Sequence, residues 1–141
     1  MRFYFIFIIL FFFKINLSYA LIEVDITRGN LDPLPIAVSP LHVDVKSEEI
    51  DGLKVKNLGS DISLIIEKNF RSTGLFNPLK KDAFVQKPDI AHLKPRFEDW
   101  RLIKAQALVT GKLLVNDGKL KVEFRLWDLT ASKEMVALAF T

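Results

Sequence analysis

The stretch ALVTGKLLVNDGKLKVEFRLWD, Ala107 to Asp128, decides the fold, because it reads as two strands around one turn. Ala107 to Val115 is apolar apart from Thr110, Gly111 and Lys112. Asn116-Asp117-Gly118 then supplies a turn, the Asp-Gly pair being suited to positive φ. Lys119 to Asp128 returns with Val122, Phe124 and Leu126 alternating against Glu123, Arg125 and Trp127, the period of a strand. Gly111, inside the first strand, marks a bulge or a close approach. Downstream, Thr130-Ala131-Ser132-Lys133 turns again and Met135 to Phe140 makes a third strand, so the chain ends in an antiparallel meander.

Working upstream, Phe97 to Ile103 reads as a short helix with Phe97 and Trp100 facing inward, and Lys80 to Arg96, with two prolines, as a surface connection. The longest helix comes before it. Leu58, Ile62, Ile65, Ile66 and Phe70 fall at helical spacing, Asn57 or Ser60 is placed to cap the start, Asp61 suits the positive end, and Gly74 stops it. Leu75 to Leu79 leaves as a short extended piece. Leu41 to Leu53 is charged and irregular and reads as a loop, whereas Ile36 to Ser39, bounded by Pro40, reads as a buried strand. The sum is an α/β domain: a mixed β-sheet with one long and one short helix, ending in the meander.

Ahead of that body the residues Leu21, Ile22, Glu23, Val24, Asp25, Ile26 and Thr27 alternate strictly, Ile22, Val24 and Ile26 on one side and Glu23, Asp25 and Thr27 on the other. Arg28, Gly29 and Asn30 end this strand. Leu31-Asp32-Pro33-Leu34-Pro35 follows, where Pro33 and Pro35 fix φ and remove two amide donors, so the segment reads as a semi-stiff hinge outside the sheet. A strand on such a hinge is either the first strand of its own sheet or a strand offered to the sheet edge of another protein. Pattern alone favours the former.

The first twenty residues form an address. Met1-Arg2 is a positive start, Phe3 to Phe13 is an unbroken apolar run, and Asn16 to Ala20 turns polar and small, which fits a secretory signal cleaved after Ala20. The run is too short to span a bilayer, which takes about 20 residues. Without a cysteine at the cut, lipid attachment there is excluded. The expected organisation is a signal at 1–20, a partner-binding strand and hinge at 21–35, and the α/β domain at 36–141.

Of 141 residues, 20 are Lys or Arg and 17 Asp or Glu, a net charge of +3. Both Arg2 and Lys14 lie in the leader, so the remainder is nearly neutral and has no broad basic field for nucleic acid or anionic lipid. Chemistry is equally thin. There is no cysteine, and His42 and His92 belong to no metal-ligand spacing. Asp44, Glu48, Glu49 and Asp51 lack the glycine and terminal carboxylate of a calcium loop, and read as a solvated loop. Trp100 and Trp127, without a basic stripe, read as core residues, and Lys80, Lys81, Lys119 and Lys121 as solvated faces. No catalytic residue, metal site or cofactor is expected, and the chain does not read as an enzyme.

Leu21 to Val38 (LIEVDITRGNLDPLPIAV), Asp61 to Phe76 (DISLIIEKNFRSTGLF) and the FEDWR, ALVTGKL, NDG and VEFRLWD segments between Phe97 and Asp128 resemble, in order, the N-terminal domain of the TolB family of the Gram-negative Tol-Pal envelope system. That resemblance implies a periplasmic adaptor whose first mature residues, Leu21 to Asp32, bind the C-terminal domain of TolA, with Pro33 and Pro35 as the hinge. It implies a role in outer-membrane integrity and in envelope constriction during division. It also implies a closing helix and a β-propeller that binds Pal. Neither follows within these 141 residues, so no Pal binding is expected and one sheet face is expected to be exposed. Two rivals remain: a truncated fragment without function, and a small envelope ligand-binding or hydrolase domain built on His42 and the Asp44, Glu48, Glu49 loop.

Overall fold

The computed structural model describes residues 32–45, 49–50, 53–116 and 119–141. Its elements are β1 (Leu34–Val38), β2 (His42–Val45), β3 (Glu49–Ile50), β4 (Leu53–Lys54), α1 (Val55–Ser72), β5 (Phe76–Pro78), α2 (Pro88–Ala91), α3 (Phe97–Leu102), β6 (Ala107–Asn116), β7 (Lys119–Asp128) and β8 (Lys133–Phe140). A 3-10 turn, Lys81–Ala83, follows β5.

β6 is the strand around which the sheet assembles. The order is β5-β1-β6-β7-β8, with β2 also paired to β6. β6, β7 and β8 form the expected antiparallel meander, while β1, β2 and β5 add in parallel, making the sheet mixed. β1 and β2 lie end to end along the same edge of β6: Ile36 to Val38 pair with Ala107 to Val109, and His42 to Val45 with Lys112 to Val115. Between them the Ser39 N–H still donates to the Val109 carbonyl at 3.0 Å, and the chain then steps away from β6 at Pro40-Leu41, where the Leu41 N–H donates to the Gly59 carbonyl of α1 at 3.1 Å.

Each face of the sheet carries its own core. On one, Ile36, Val38, Ala107 and Val109 pack under Ile66 and Phe70 of α1. On the other, Ala37, Leu108, Trp127 and Leu129 pack with Trp100 of α3 and Ala91 of α2. Trp100 and Trp127 are thus core residues, as expected. Both indoles are satisfied, Trp100 Nε1 donating to Gln86 Oε1 and Trp127 Nε1 to Thr110 Oγ1, each at 2.9 Å.

Several expectations fail for local physical reasons. Leu41 to Leu53 is not all loop, because His42-Val43-Asp44-Val45 alternates and pairs as β2, and β3 pairs with β4. α1 starts at Val55, so Asn57 and Ser60 lie inside the helix and cap nothing, and Asp61 is beyond its first turn. Its inward face is Gly59 and Ser63 followed by Ile66 and Phe70. Ile65 is 60% exposed. The segment after β5 contains α2, a helix more than expected, and buried Gln86 and Ala91. Lys81 is not a free surface charge: it donates to Ser63 Oγ at 2.7 Å and pairs with Glu67 at 3.2 Å. Gly74, by contrast, ends the helix as expected, at φ 71°.

Pro35 corrects the expectation that the double-proline segment lies outside the sheet, because Leu34 and Pro35 are part of β1, between β5 and β6. In a parallel pair each residue uses one neighbour for both its N–H and its carbonyl. The Pro35 carbonyl accepts from the Gln106 N–H at 2.9 Å, so its nitrogen faces the stretch just ahead of Ala107, where β6 has not begun. The missing N–H therefore costs no ladder bond.

α1 lies over β5, β1, β2 and the adjoining part of β6, and leaves the β7–β8 part of that face open. Val109, Phe124, Leu126, Val136 and Leu138 line an open apolar groove of 340 Å³ with Ile66 and Phe70, and Leu138 and Phe140 are 54% and 56% exposed. Changing Leu138 and Phe140 together to serine is expected to reduce ANS fluorescence of the native protein while leaving its circular dichroism unchanged. An undiminished signal would place the dye elsewhere.

Candidate partner-binding site

The partner-binding residues expected from sequence are Leu21 to Asp32, and of these Leu21 to Leu31 lie outside the described residues. Asp32 and Pro33 are exposed, immediately ahead of the first ordered pairing. That pairing is firm. The Leu34 N–H donates to the Leu75 carbonyl at 2.9 Å, and Leu79 N–H donates back to Ile36 at 2.9 Å, so β1 is tied to β5 at its first and third residues. Phe76, opposite Leu34, packs against Phe70 with ring centroids 4.8 Å apart.

The surroundings of this root follow from topology. β1, β5 and β6 are parallel, so Pro33 lies at the end of the sheet where β5 and β6 also start. α1 returns the chain to that end, and its last turn is closed by Thr73, whose hydroxyl donates to the Phe70 carbonyl at 2.7 Å. The Gly74 turn and the exposed Leu75 therefore stand beside the point where Asp32 and Pro33 leave the sheet.

The residues of the rival catalytic reading are not gathered into a site. His42 and Asp44 stand two residues apart on β2, Glu48 and Asp51 fall outside the described residues, and Glu49 lies in β3. Among the described residues no three His, Cys, Asp or Glu side chains are placed to hold a metal ion. The sequence reading missed one contact: His42 and His92, fifty positions apart, stack face to face with centroids 4.3 Å apart and rings 5° from parallel. No periodicity or spacing signals such a pair. Burial holds the His42 imidazole below its ordinary value, with His92 and Lys112 adding to the effect and Asp44 and Asp89 opposing it.

Gly59 and Gly111 earn their places here through Leu41. A Cβ on Gly59 would stand 2.2 Å from the Leu41 carbonyl oxygen, and one on Gly111 would meet the Glu123 carbonyl oxygen at 2.5 Å and Leu41 Cγ at 3.0 Å. Pairing of β6 with β7 is regular through Gly111, so close approach, not a bulge, explains it.

Comparison with known proteins agrees with this architecture. The family model described as the TolB amino-terminal domain matches residues 22–135. The Tol-Pal system protein TolB of Pelagibacter ubique (strain HTCC1062) is 68% identical over 126 residues, covering 88% of this chain and 28% of that protein. The chain thus spans just over a quarter of the length of that curated relative. Among solved structures, TolB from Acinetobacter baumannii superposes with a TM-score of 0.56 at 17% identity, over 77% of this chain and 23% of the other. The LpoB C-terminal domain from Salmonella enterica gives 0.53 at 8% identity, over 80% and 84%. At such identities these likenesses concern the fold.

Proposed function

Since the chain belongs to the TolB amino-terminal domain family, we propose that it works as a non-catalytic periplasmic adaptor of the Tol-Pal system that binds the C-terminal domain of TolA through Leu21 to Asp32. The leader 1–20 exports it and is cleaved after Ala20. The contact with TolA serves outer-membrane integrity and constriction of the envelope during division. The observation that supports this reading most directly is the root of the arm: Asp32 and Pro33 are exposed while Leu34, the next residue, is hydrogen-bonded into the sheet. A segment joined to so firm a base can engage a partner at little cost to the fold. Its alternation of Ile22, Val24 and Ile26 with Glu23, Asp25 and Thr27 suits strand addition, in which main-chain bonds supply affinity and alternate side chains supply specificity. Pro33 stiffens the exit, which lowers the entropy lost on binding.

Calorimetric titration of residues 21–141 with the TolA C-terminal domain, beside a version starting at Pro33, tests this. Binding is expected for the first and a loss of about 100-fold or more for the second, since the arm supplies the interface. Two folded proteins that bind equally, or not at all, would overturn the reading.

A further inference from the structure

We propose that the stacked imidazoles of His42 on β2 and His92 at the end of α2 form a proton-operated latch, holding the Lys87–Pro95 segment on the sheet near neutral pH and releasing it when both rings are protonated. The geometry is specific. The rings lie 4.3 Å apart and 5° from parallel, an arrangement that neutral imidazoles tolerate and that two like charges oppose. His92 Nδ1 stands 3.0 Å from the Pro88 carbonyl, so its Nδ1–H donates within α2 and fixes the ring plane that His42 meets.

The charges around the pair come from every neighbouring element. Asp44 on β2 and Asp89 on α2 favour the charged form of His42, while Lys112 on β6 and His92 oppose it. Glu123 and Arg125 of β7 line the small cleft beside His92 together with Lys112. A hydrogen bond from Lys121 holds the Glu123 carboxyl below its ordinary value, so Glu123 stays ionised while His42 titrates. The balance at His42 favours the neutral ring. Its folded value lies below the ordinary 6.5, so the closed form's advantage is full above that value and is lost as pH falls through the lowered one.

What the latch holds is weak by itself. α2 has four residues, too few for a helix to persist without tertiary support. The segment's other attachments are the buried Ala91 and Pro95 and the Arg125 Nη1 bonds to the His92 and Leu93 carbonyls at 3.4 and 3.2 Å. Gln86, whose Oε1 accepts from the Arg96 N–H and from Trp100 Nε1, both at 2.9 Å, clamps the two ends. Opening is therefore confined between Gln86 and Arg96.

Amide hydrogen exchange of the full chain between pH 7.5 and 5.0, corrected for intrinsic rates, tests the latch. Protection at residues 90–93, whose amides donate within the segment, is expected to fall about tenfold, while Leu108 and Val109 in β6 keep theirs. His42→Phe keeps a flat ring in the stack without its charge and is expected to abolish the fall. Protection that does not change with pH, or that falls equally in H42F, would overturn the proposal.

Discussion

Replacing Trp100 with alanine is expected to lower the unfolding free energy by about 4 kcal/mol, the cost of removing a large fully buried aromatic. The indole is 1% exposed and fills the space between α2, α3 and the sheet, against the small Ala37, Ala91 and Ala105 and the larger Leu108 and Leu129. Phe84 would lose the edge contact it makes at 5.0 Å, and Gln86 Oε1 would keep only the Arg96 N–H. A domain of this size is stable by roughly 5–15 kcal/mol, so the variant is expected to lose a large fraction of its stability and to melt many degrees lower. Urea denaturation followed by circular dichroism reads this directly, and a loss below about 1 kcal/mol would mean that the cluster collapses onto the void. Trp100→Phe is expected to be milder, because the ring contact with Phe84 survives and only the indole donor is lost.

Gly59→Ala is expected to cost about 2 kcal/mol, the balance of overpacking against the gain of about 1 kcal/mol from placing alanine in a helix. The new methyl would stand 2.2 Å from a backbone oxygen, Leu41 O, and 2.9 Å from Val43 Cγ2, so α1 must move off β2. Backbone cannot rotate aside as a side-chain tip does. Gly74→Ala is the matched comparison: nothing lies within 4 Å of its Cβ position, and only the strain of φ 71° remains. If Gly59→Ala proved as stable as the native protein, the close approach of α1 to the Ser39-Pro40-Leu41 step would not be needed.

The contrast between these glycines shows what was legible. Signals that depend on side-chain period or turn chemistry read correctly: the meander of β6, β7 and β8, the Gly74 stop, the burial of Trp100 and the short helix around it. Signals carried by small or polar residues did not. The inward face of α1 includes Gly59 and Ser63, which an apolar count ignores, so Ile65 was drawn into the stripe although it faces solvent. β2 was hidden because His42 and Asp44 are polar on one face and only Val43 and Val45 mark the other, a pattern four residues long. Pro35 was read by its missing donor, whereas the register of β6 places that deficit where no partner strand exists.

For the candidate site the sequence supplied the segment and the structure supplied its base. The alternation of Leu21 to Thr27 and the prolines drew attention to the arm, and the pairing of Leu34 shows where the sheet takes hold. The His42 and His92 stack was illegible, because two residues fifty positions apart meet only through the crossing of β2 and α2.

The parallel course of β1 sets how the domain bears load. β8 is reached from β6 by two antiparallel steps through β7, so it runs in the same direction as β1, and its Phe140 end lies at the opposite end of the sheet from Pro33. Tension between those two points runs along the strands. The bonds holding β1 to β5 and β6 lie across that axis and are strained in shear, all together, instead of being peeled one at a time. A tether attached through Pro33 thus pulls on the sheet along its strongest direction.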